Sequence, residues 1–184
     1  MVDPLLVVDV QQCFLNEFTR HIPARIEELI RQGGHEPVLF TRFVNVEESP
    51  FRRLLGWTEC LEPPQTELAG ELRAFEAPET VYSKAGYAGL PDTLGQYLVD
   101  QGFRRVTLAG IDTDMCVLKV AMDLFDLNIE PVVYTDCCAS TAGLQAHLAG
   151  LAVLARNIGA ERLLDAGLSG GFLAAPDTNS SYRN

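Results

Sequence analysis

Lysine is scarce in this sequence: Lys84 and Lys119 stand against 12 arginines among 184 residues. Basic residues are outnumbered, 14 Lys and Arg against 25 Asp and Glu, for a net charge of −11. Nucleic acid and anionic membrane surfaces both need a basic patch, so neither is expected as a partner. No apolar run approaches the ~18 residues of a membrane-spanning helix. No G-x-G-x-x-G and no P-loop follows a strand, which disfavours a nucleotide- or phosphoryl-binding domain. Internal repeats and linkers are missing as well. The three histidines, His21, His35 and His147, read as surface residues on loops and helix edges rather than as partners of a cysteine.

The five cysteines, Cys13, Cys60, Cys116, Cys137 and Cys138, are odd in number and fit no zinc spacing. Met1 leads into an apolar strand without a basic leader or a small-residue cleavage site. The expectation is therefore a cytoplasmic protein whose thiols are reduced. Cys137 and Cys138 are adjacent and read as packing residues at a strand end.

What is present is an alternation of strands and helices over one domain, residues 1–175, followed by a flexible tail, 176–184. Apolar runs at Leu5–Val10, Pro37–Thr41, Thr80–Ser83, Val106–Ala109 and Glu130–Thr135 predict strands, with a sixth at Gly159–Leu164. The run Leu5–Val10 is continuously apolar, as a central parallel strand covered on both faces requires. Helices are predicted over Pro23–Gln32, Thr66–Phe75, Pro91–Gln101 and Thr141–Asn157, the last with Leu144, Leu148, Leu151 and Leu154 inward. Another begins at Thr113, with Thr113 and Asp114 as caps. Asn45–Pro64 has no clean period and reads as a long loop holding Phe51, Leu54, Leu55 and Trp57. The fold class that follows is α/β: an open, doubly wound, mostly parallel six-stranded sheet with helices on both faces. Ligands in such sheets bind beyond the carboxyl ends of the strands.

Three residues with chemistry to offer end strands or closely follow them: Asp9, Lys84 and Cys116. A cysteine in a strand-to-helix turn is by itself more often a small buried hydrophobe. Its company changes that reading. A thiol nucleophile needs a base and a cation, and Asp9 and Lys84 can supply them. The expected helix N-terminus and Lys84 both favour a thiolate at Cys116, while Asp9 opposes it. Where arginine is the default cation, a lysine at a strand end points to a need for a compact ammonium.

The motifs resemble those of the isochorismatase-like cysteine hydrolases, which include nicotinamidases and N-carbamoylsarcosine amidases. Asp9-Val10-Gln11-Gln12-Cys13-Phe14 resembles the family's D-x-Q-x-x-F opening, and Ser83-Lys84-Ala85-Gly86-Tyr87 its lysine loop. Gly110-Ile111-Asp112-Thr113-Asp114-Met115-Cys116-Val117 resembles its nucleophile turn, followed by Asp136 and Ser140. The likeness runs through about Gly167. It implies an Asp9–Lys84–Cys116 triad and a cis peptide between Ile111 and Asp112. It also implies backbone N–H groups of Asp112 and Cys116 aimed at an oxyanion. Metal-binding nicotinamidases carry D-x-H after the second strand, whereas Thr41-Arg42-Phe43-Val44-Asn45 offers no carboxylate or imidazole. No metal or other cofactor is expected. Isochorismatases that cleave a vinyl ether usually lack the cysteine, so Cys116 favours covalent chemistry on an acyl carbon.

The reading is a cysteine-dependent hydrolase of a small amide or ureido compound. An ether hydrolase, or a redox- or electrophile-sensing thiol protein on the same fold, is the alternative. Phe14, Phe43, Trp57 and Tyr87 are candidate walls of the substrate pocket, with ordinary packing as the competing account. Arg42 is open to two readings, a clamp on a substrate carboxylate or an outward salt bridge. The resemblance, with the apolar residues of the long loop in need of cover, predicts a homo-oligomer. Sedimentation at micromolar concentration should give at least twice the 20.2 kDa chain mass; a monomer mass would refute it.

Overall fold

The computed structural model describes residues 2–87 and 89–168, so the expected tail at 176–184 lies outside the described residues. Six strands form one sheet: β1 (Leu5–Val8), β2 (Val38–Phe43), β3 (Val81–Lys84), β4 (Arg105–Ile111), β5 (Glu130–Ala139) and β6 (Leu163–Leu164). Their order is β3-β2-β1-β4-β5-β6, and every pairing is parallel. Parallel neighbours need crossover segments, and these carry α1 (Ile22–Gln32), α2 (Pro50–Leu55), α3 (Asp92–Asp100), α4 (Leu118–Asp126) and α5 (Leu144–Ile158).

All four residues of β1 are fully buried, and alternate side chains feed two cores. Leu6 and Val8 join Val106 and Leu108 of β4 beneath α3, α4 and α5. Leu5 and Val7 join Ala109 and Ile111 against Ile22, Ile26 and Leu29 of α1. Each such side chain is worth about 1.5–3 kcal/mol of burial. Strand order runs outward in both directions from the β1–β4 pair, which makes the carboxyl ends of β1 and β4 the switch point of the sheet. There the backbones approach closely: Gly110 has φ +145°, and a Cβ on it would stand 2.2 Å from the Val8 carbonyl oxygen.

Several boundaries differ from the sequence expectation, each for a local reason. β5 continues past Thr135 because its register against β4 shifts between Leu108 and Gly110, and the strand resumes at Cys138. The shift leaves Asp136 facing Arg25 of α1 in a buried ion pair of 2.5 Å. Helix α5 starts at Leu144 rather than Thr141, because Ser140 and Thr141 are engaged elsewhere, and Leu144 is exposed instead of inward. The expected helix over 66–75 is a 3-10 turn, Gly70–Phe75. The aperiodic 45–64 segment contains α2, capped by the Ser49 side chain accepting from the Arg52 N–H. Phe51 and Trp57 of that segment find cover within the chain, while Leu54 and Leu55 remain exposed.

The cysteines require a correction. Cys116, Cys137 and Cys138 are free, and the latter two are buried in β5 as packing residues. Cys13 and Cys60, however, are joined in a disulfide. Spacing alone cannot show such a pair, because the chain between them must first fold back on itself. The bridge also removes one of the two grounds for expecting a cytoplasmic protein. Among the described residues, no helix is long and apolar enough to cross a membrane. The bridge spans 47 residues of chain, and closing a loop of that size is worth about 2–4 kcal/mol. Cys13→Ser should lower the free energy of unfolding by that amount in equilibrium denaturation without reductant. An unchanged midpoint would show that the bridge does not constrain the fold.

Candidate active site

Asp9 directly follows β1 and has φ +50°, a left-handed conformation that turns its side chain back across the strand ends. Thr41 of β2 holds it there. The Thr41 hydroxyl donates to Asp9 Oδ1 at 2.7 Å and accepts the Asp9 N–H at 3.1 Å. Lys84, the last residue of β3, places Nζ 2.8 Å from Asp9 Oδ2, and both side chains are almost fully buried. Burial by itself would weaken the Lys84 ammonium. The Asp9 carboxylate, the Cys116 sulfur and hydrogen bonds to both reverse that effect and hold its pKa above the usual lysine value.

Cys116 approaches the same two groups from the other side of the switch point. It lies within a π turn, Thr113–Val117, that precedes α4, rather than in the first turn of an α-helix. The Asp112 carbonyl accepts from the N–H groups of Met115 (3.2 Å) and Val117 (3.0 Å), and the second of these bonds is the π-type contact. The Ile111–Asp112 peptide bond is cis. Neither Thr113 nor Asp114 caps the turn through its side chain. The Thr113 hydroxyl instead lies 2.8 Å from His147 Nδ1, and the Ser140 hydroxyl donates to Asp114. The turn is thus tied to the end of β5 and to α5. Gly150 permits the approach, since a Cβ there would stand 2.7 Å from the Asp114 Cα.

Cys116 as a residue is half-buried. Burial pushes the Cys116 pKa well above its ordinary value, the Asp9 charge pushes it further, and Lys84 only partly offsets them. These influences together favour the thiol over the thiolate. His147 is half-buried against the nucleophile turn, not a surface residue, and burial holds its pKa below the ordinary histidine value. Helical periodicity did not reveal this, because the face of α5 that meets the turn is chosen by Gly150.

The four candidate wall residues come together, with a fifth that the sequence reading had placed only in the loop. Phe14 stacks on Trp57 at 6.1 Å and meets Phe43 at 6.0 Å. Phe51 joins Phe43 at 5.4 Å, Trp57 at 5.7 Å and Tyr87 at 4.7 Å. Phe43 lies beside Lys84 in the β2–β3 register, which sets this cluster next to the ion pair. Gln11, whose role the sequence does not reveal, organises the junction with its fully buried amide. It accepts the Phe43 N–H at 2.7 Å and donates to the carbonyls of Phe43 (2.8 Å) and Thr66 (3.0 Å). The Cys13–Cys60 bridge is part of the same cluster. Arg42 points to the opposite face of β2 and pairs with Glu76, as the salt-bridge reading has it.

The donors after β2 do not fit a metal. The Thr41 hydroxyl is committed to Asp9. Asn45 donates to the carbonyls of Trp57 and Glu59 and accepts from the Val46 N–H and the Ser49 hydroxyl. Among the described residues, no group of three or more His, Cys, Asp or Glu could hold an ion. A cleft of about 600 Å3 runs between α3 and α4, past Leu90, Lys119 and Asp123. None of the triad or wall residues lines it.

Comparison with known proteins agrees with this architecture. The family model for the isochorismatase domain matches residues 4–162. No curated protein sequence matches the chain. Among solved structures, N-carbamoylsarcosine amidase from Thermoplasma acidophilum is similar at 21% identity and a TM-score of 0.72, covering 93% of this chain and 100% of that one. The pyrazinamidase/nicotinamidase of Streptococcus mutans is 21% identical at a TM-score of 0.72, covering 86% and 98%. A pyrazinamidase of Pyrococcus horikoshii in complex with zinc is 23% identical at a TM-score of 0.72, covering 90% and 99%. At these identities the likeness shows the fold.

The competing charges on Cys116 give a test. Asp9→Asn removes a charge that opposes thiolate and leaves Lys84, which favours it. Alkylation of Cys116 by iodoacetamide near pH 7.5 should therefore speed up, by about tenfold for each unit the thiol pKa falls. Slower alkylation in a variant that remains folded by circular dichroism would contradict this account of the site.

Proposed function

The chain belongs to the isochorismatase family, and from that premise we propose that it is a metal-independent cysteine amidohydrolase acting on a small amide or ureido compound. The observation that carries the reading is the buried Asp9–Lys84 pair in contact with the Cys116 thiol. A neutral thiol beside a carboxylate is a nucleophile waiting on its general base. Asp9 takes the Cys116 proton as the sulfur attacks the carbonyl, and Lys84 balances the charge that remains. The backbone N–H groups of Asp112 and Cys116 receive the oxyanion, a contribution that usually amounts to ~10²–10³ in rate per donor. The tetrahedral adduct collapses to a thioester, and Asp9 returns its proton to the departing ammonia or amine. Water, with Asp9 again as base, releases the carboxylic acid and restores the thiol.

The substrate's acyl group rests against Phe14, Phe43, Phe51, Trp57 and Tyr87. Arg42 is paired with Glu76 on the far side of β2 and is not the clamp for a substrate carboxylate. A redox- or electrophile-sensing role fits less well, since sensor cysteines depend on a low pKa and Cys116 is shifted the other way.

The experiment is a panel of carboxamides and ureides assayed for ammonia. At least one should be hydrolysed, with activity kept after dialysis against chelator and reduced to background in Cys116→Ala. Asp9→Asn should lose ~10²–10⁴ in rate, the usual worth of a positioned base. Activity that needs added zinc, iron or manganese, or that survives in Cys116→Ala, would overturn the proposal.

A further inference from the structure

The mechanism above uses only the backbone of Asp112, yet its side chain is a buried carboxylate at the nucleophile turn, 8% exposed. Burying a carboxylate is costly unless its oxygens are satisfied. Both of them are. Oδ1 accepts the Thr141 backbone N–H at 2.5 Å, and Oδ2 accepts the Thr141 hydroxyl at 2.9 Å. Together with the two bonds to its carbonyl, this makes Asp112 the acceptor for four donors from two parts of the chain.

We infer that the Asp112 carboxylate is a positioning residue, clamping Thr141 so that the backbone N–H groups of the nucleophile turn are held in fixed directions. The inference rests on the proposed function for its catalytic consequence, but not for the clamp itself. Two further ties cross the same junction, Ser140 to Asp114 and Thr113 to His147. Only the Asp112 tie acts on a residue whose own N–H is assigned to the oxyanion. A peptide plane between Ile111 and Asp112 that rocks by 20–30° would still leave the sulfur in reach of a substrate. Its N–H, however, would no longer meet the oxyanion, and alignment is what such donors depend on.

The negative charge has a cost as well. Burial raises the Asp112 pKa, the Thr141 bonds lower it, and the charges of Asp114 and Asp9 raise it again. Asp112 also opposes ionisation of Cys116. A carboxylate so placed makes the thiol harder to ionise, so its retention is explained by geometry rather than by activation of sulfur. An asparagine would keep one acceptor for the Thr141 N–H and shed the charge.

The test separates the donors from the nucleophile. Asp112→Ala should cut kcat for the best amide of the panel by about 10²-fold with KM changed less than threefold. Iodoacetamide alkylation of Cys116, a displacement that uses no oxyanion hole, should be as fast as in the unaltered protein or faster. Asp112→Asn should recover at least a third of the lost rate. Thr141→Val, which removes one of the two bonds, should lose about tenfold, and the double variant should be no worse than Asp112→Ala alone. Amide hydrogen exchange across residues 112–117 should rise in Asp112→Ala and not in Asp112→Asn, and it needs no substrate. Equal losses of alkylation and hydrolysis, an unchanged kcat, or unchanged exchange would each overturn the clamp. If the panel yields no substrate, the proposed function fails, while the exchange measurement still decides whether the clamp exists.

Discussion

A buried ammonium–carboxylate contact, Lys84 Nζ to Asp9 Oδ2 at 2.8 Å, is the constraint on which this site depends. Taking both charges out of water costs several kcal/mol per ion, and only close geometry with further hydrogen bonds offsets it. Each supplement comes from a different strand end. Thr41 on β2 satisfies the other Asp9 oxygen, and Cys116 beyond β4 lies against both charges. Removing one partner would strand the other, at a typical cost of 3–5 kcal/mol. The parallel order β3-β2-β1-β4 brings the four carboxyl ends to one edge of the sheet, and the ion pair requires that order. Fold and site are therefore a single constraint here.

Such surroundings favour a proton still on sulfur. An ammonium alone would draw it off; an ammonium already paired with a carboxylate draws it off only weakly. Groups this close titrate as a unit, and under the proposed function the proton moves when a carbonyl arrives to accept the sulfur's electrons. This ordering has a structural consequence. In that proposal charge develops on the substrate oxygen as the proton leaves the thiol, so the donors at the nucleophile turn must already be aligned. That the turn is tied to β5 and α5 through Asp112, Asp114 and Thr113 is in keeping with such a demand.

Much of this was legible in the amino-acid sequence, and the parts that were not share a cause. The runs Leu5–Val10 and Val106–Ala109 announce the cores of β1 and β4 because a strand buried on both faces is largely apolar. Asp9 and Lys84 stand out because charge at the end of such a run, and lysine in an arginine-rich chain, both run against the local trend. The misses involve partners far away in the chain. Cys13 and Cys60 are 47 residues apart, Gln11 reaches Phe43 and Thr66, and Asp112 meets Thr141. The register shift in β5 that turns Asp136 to Arg25 is likewise a property of the β4–β5 pair and not of either strand. Periodicity sees a residue's own helix or strand, so a contact between elements leaves no trace in it.

The same division separates chemistry from specificity. Asp9 and Lys84 sit at strand ends and Cys116 in a tied turn, where the sheet fixes them and a motif can record them. The aromatic wall hangs on a different kind of support: Phe51 and Trp57 belong to the segment between β2 and β3 that has no period of its own. That segment is held by the Ser49 cap, the Asn45 bonds to Trp57 and Glu59, and the disulfide to Cys13. Phe51 and Trp57 stand on that segment, whereas Phe43 stands on β2 beside Lys84, so the wall is shared between the loop and the strands. Under the proposed function the strand ends fix the reaction while part of the wall that meets the substrate rests on a loop pinned by a few bonds, so the reaction is written in motifs and the substrate largely in packing.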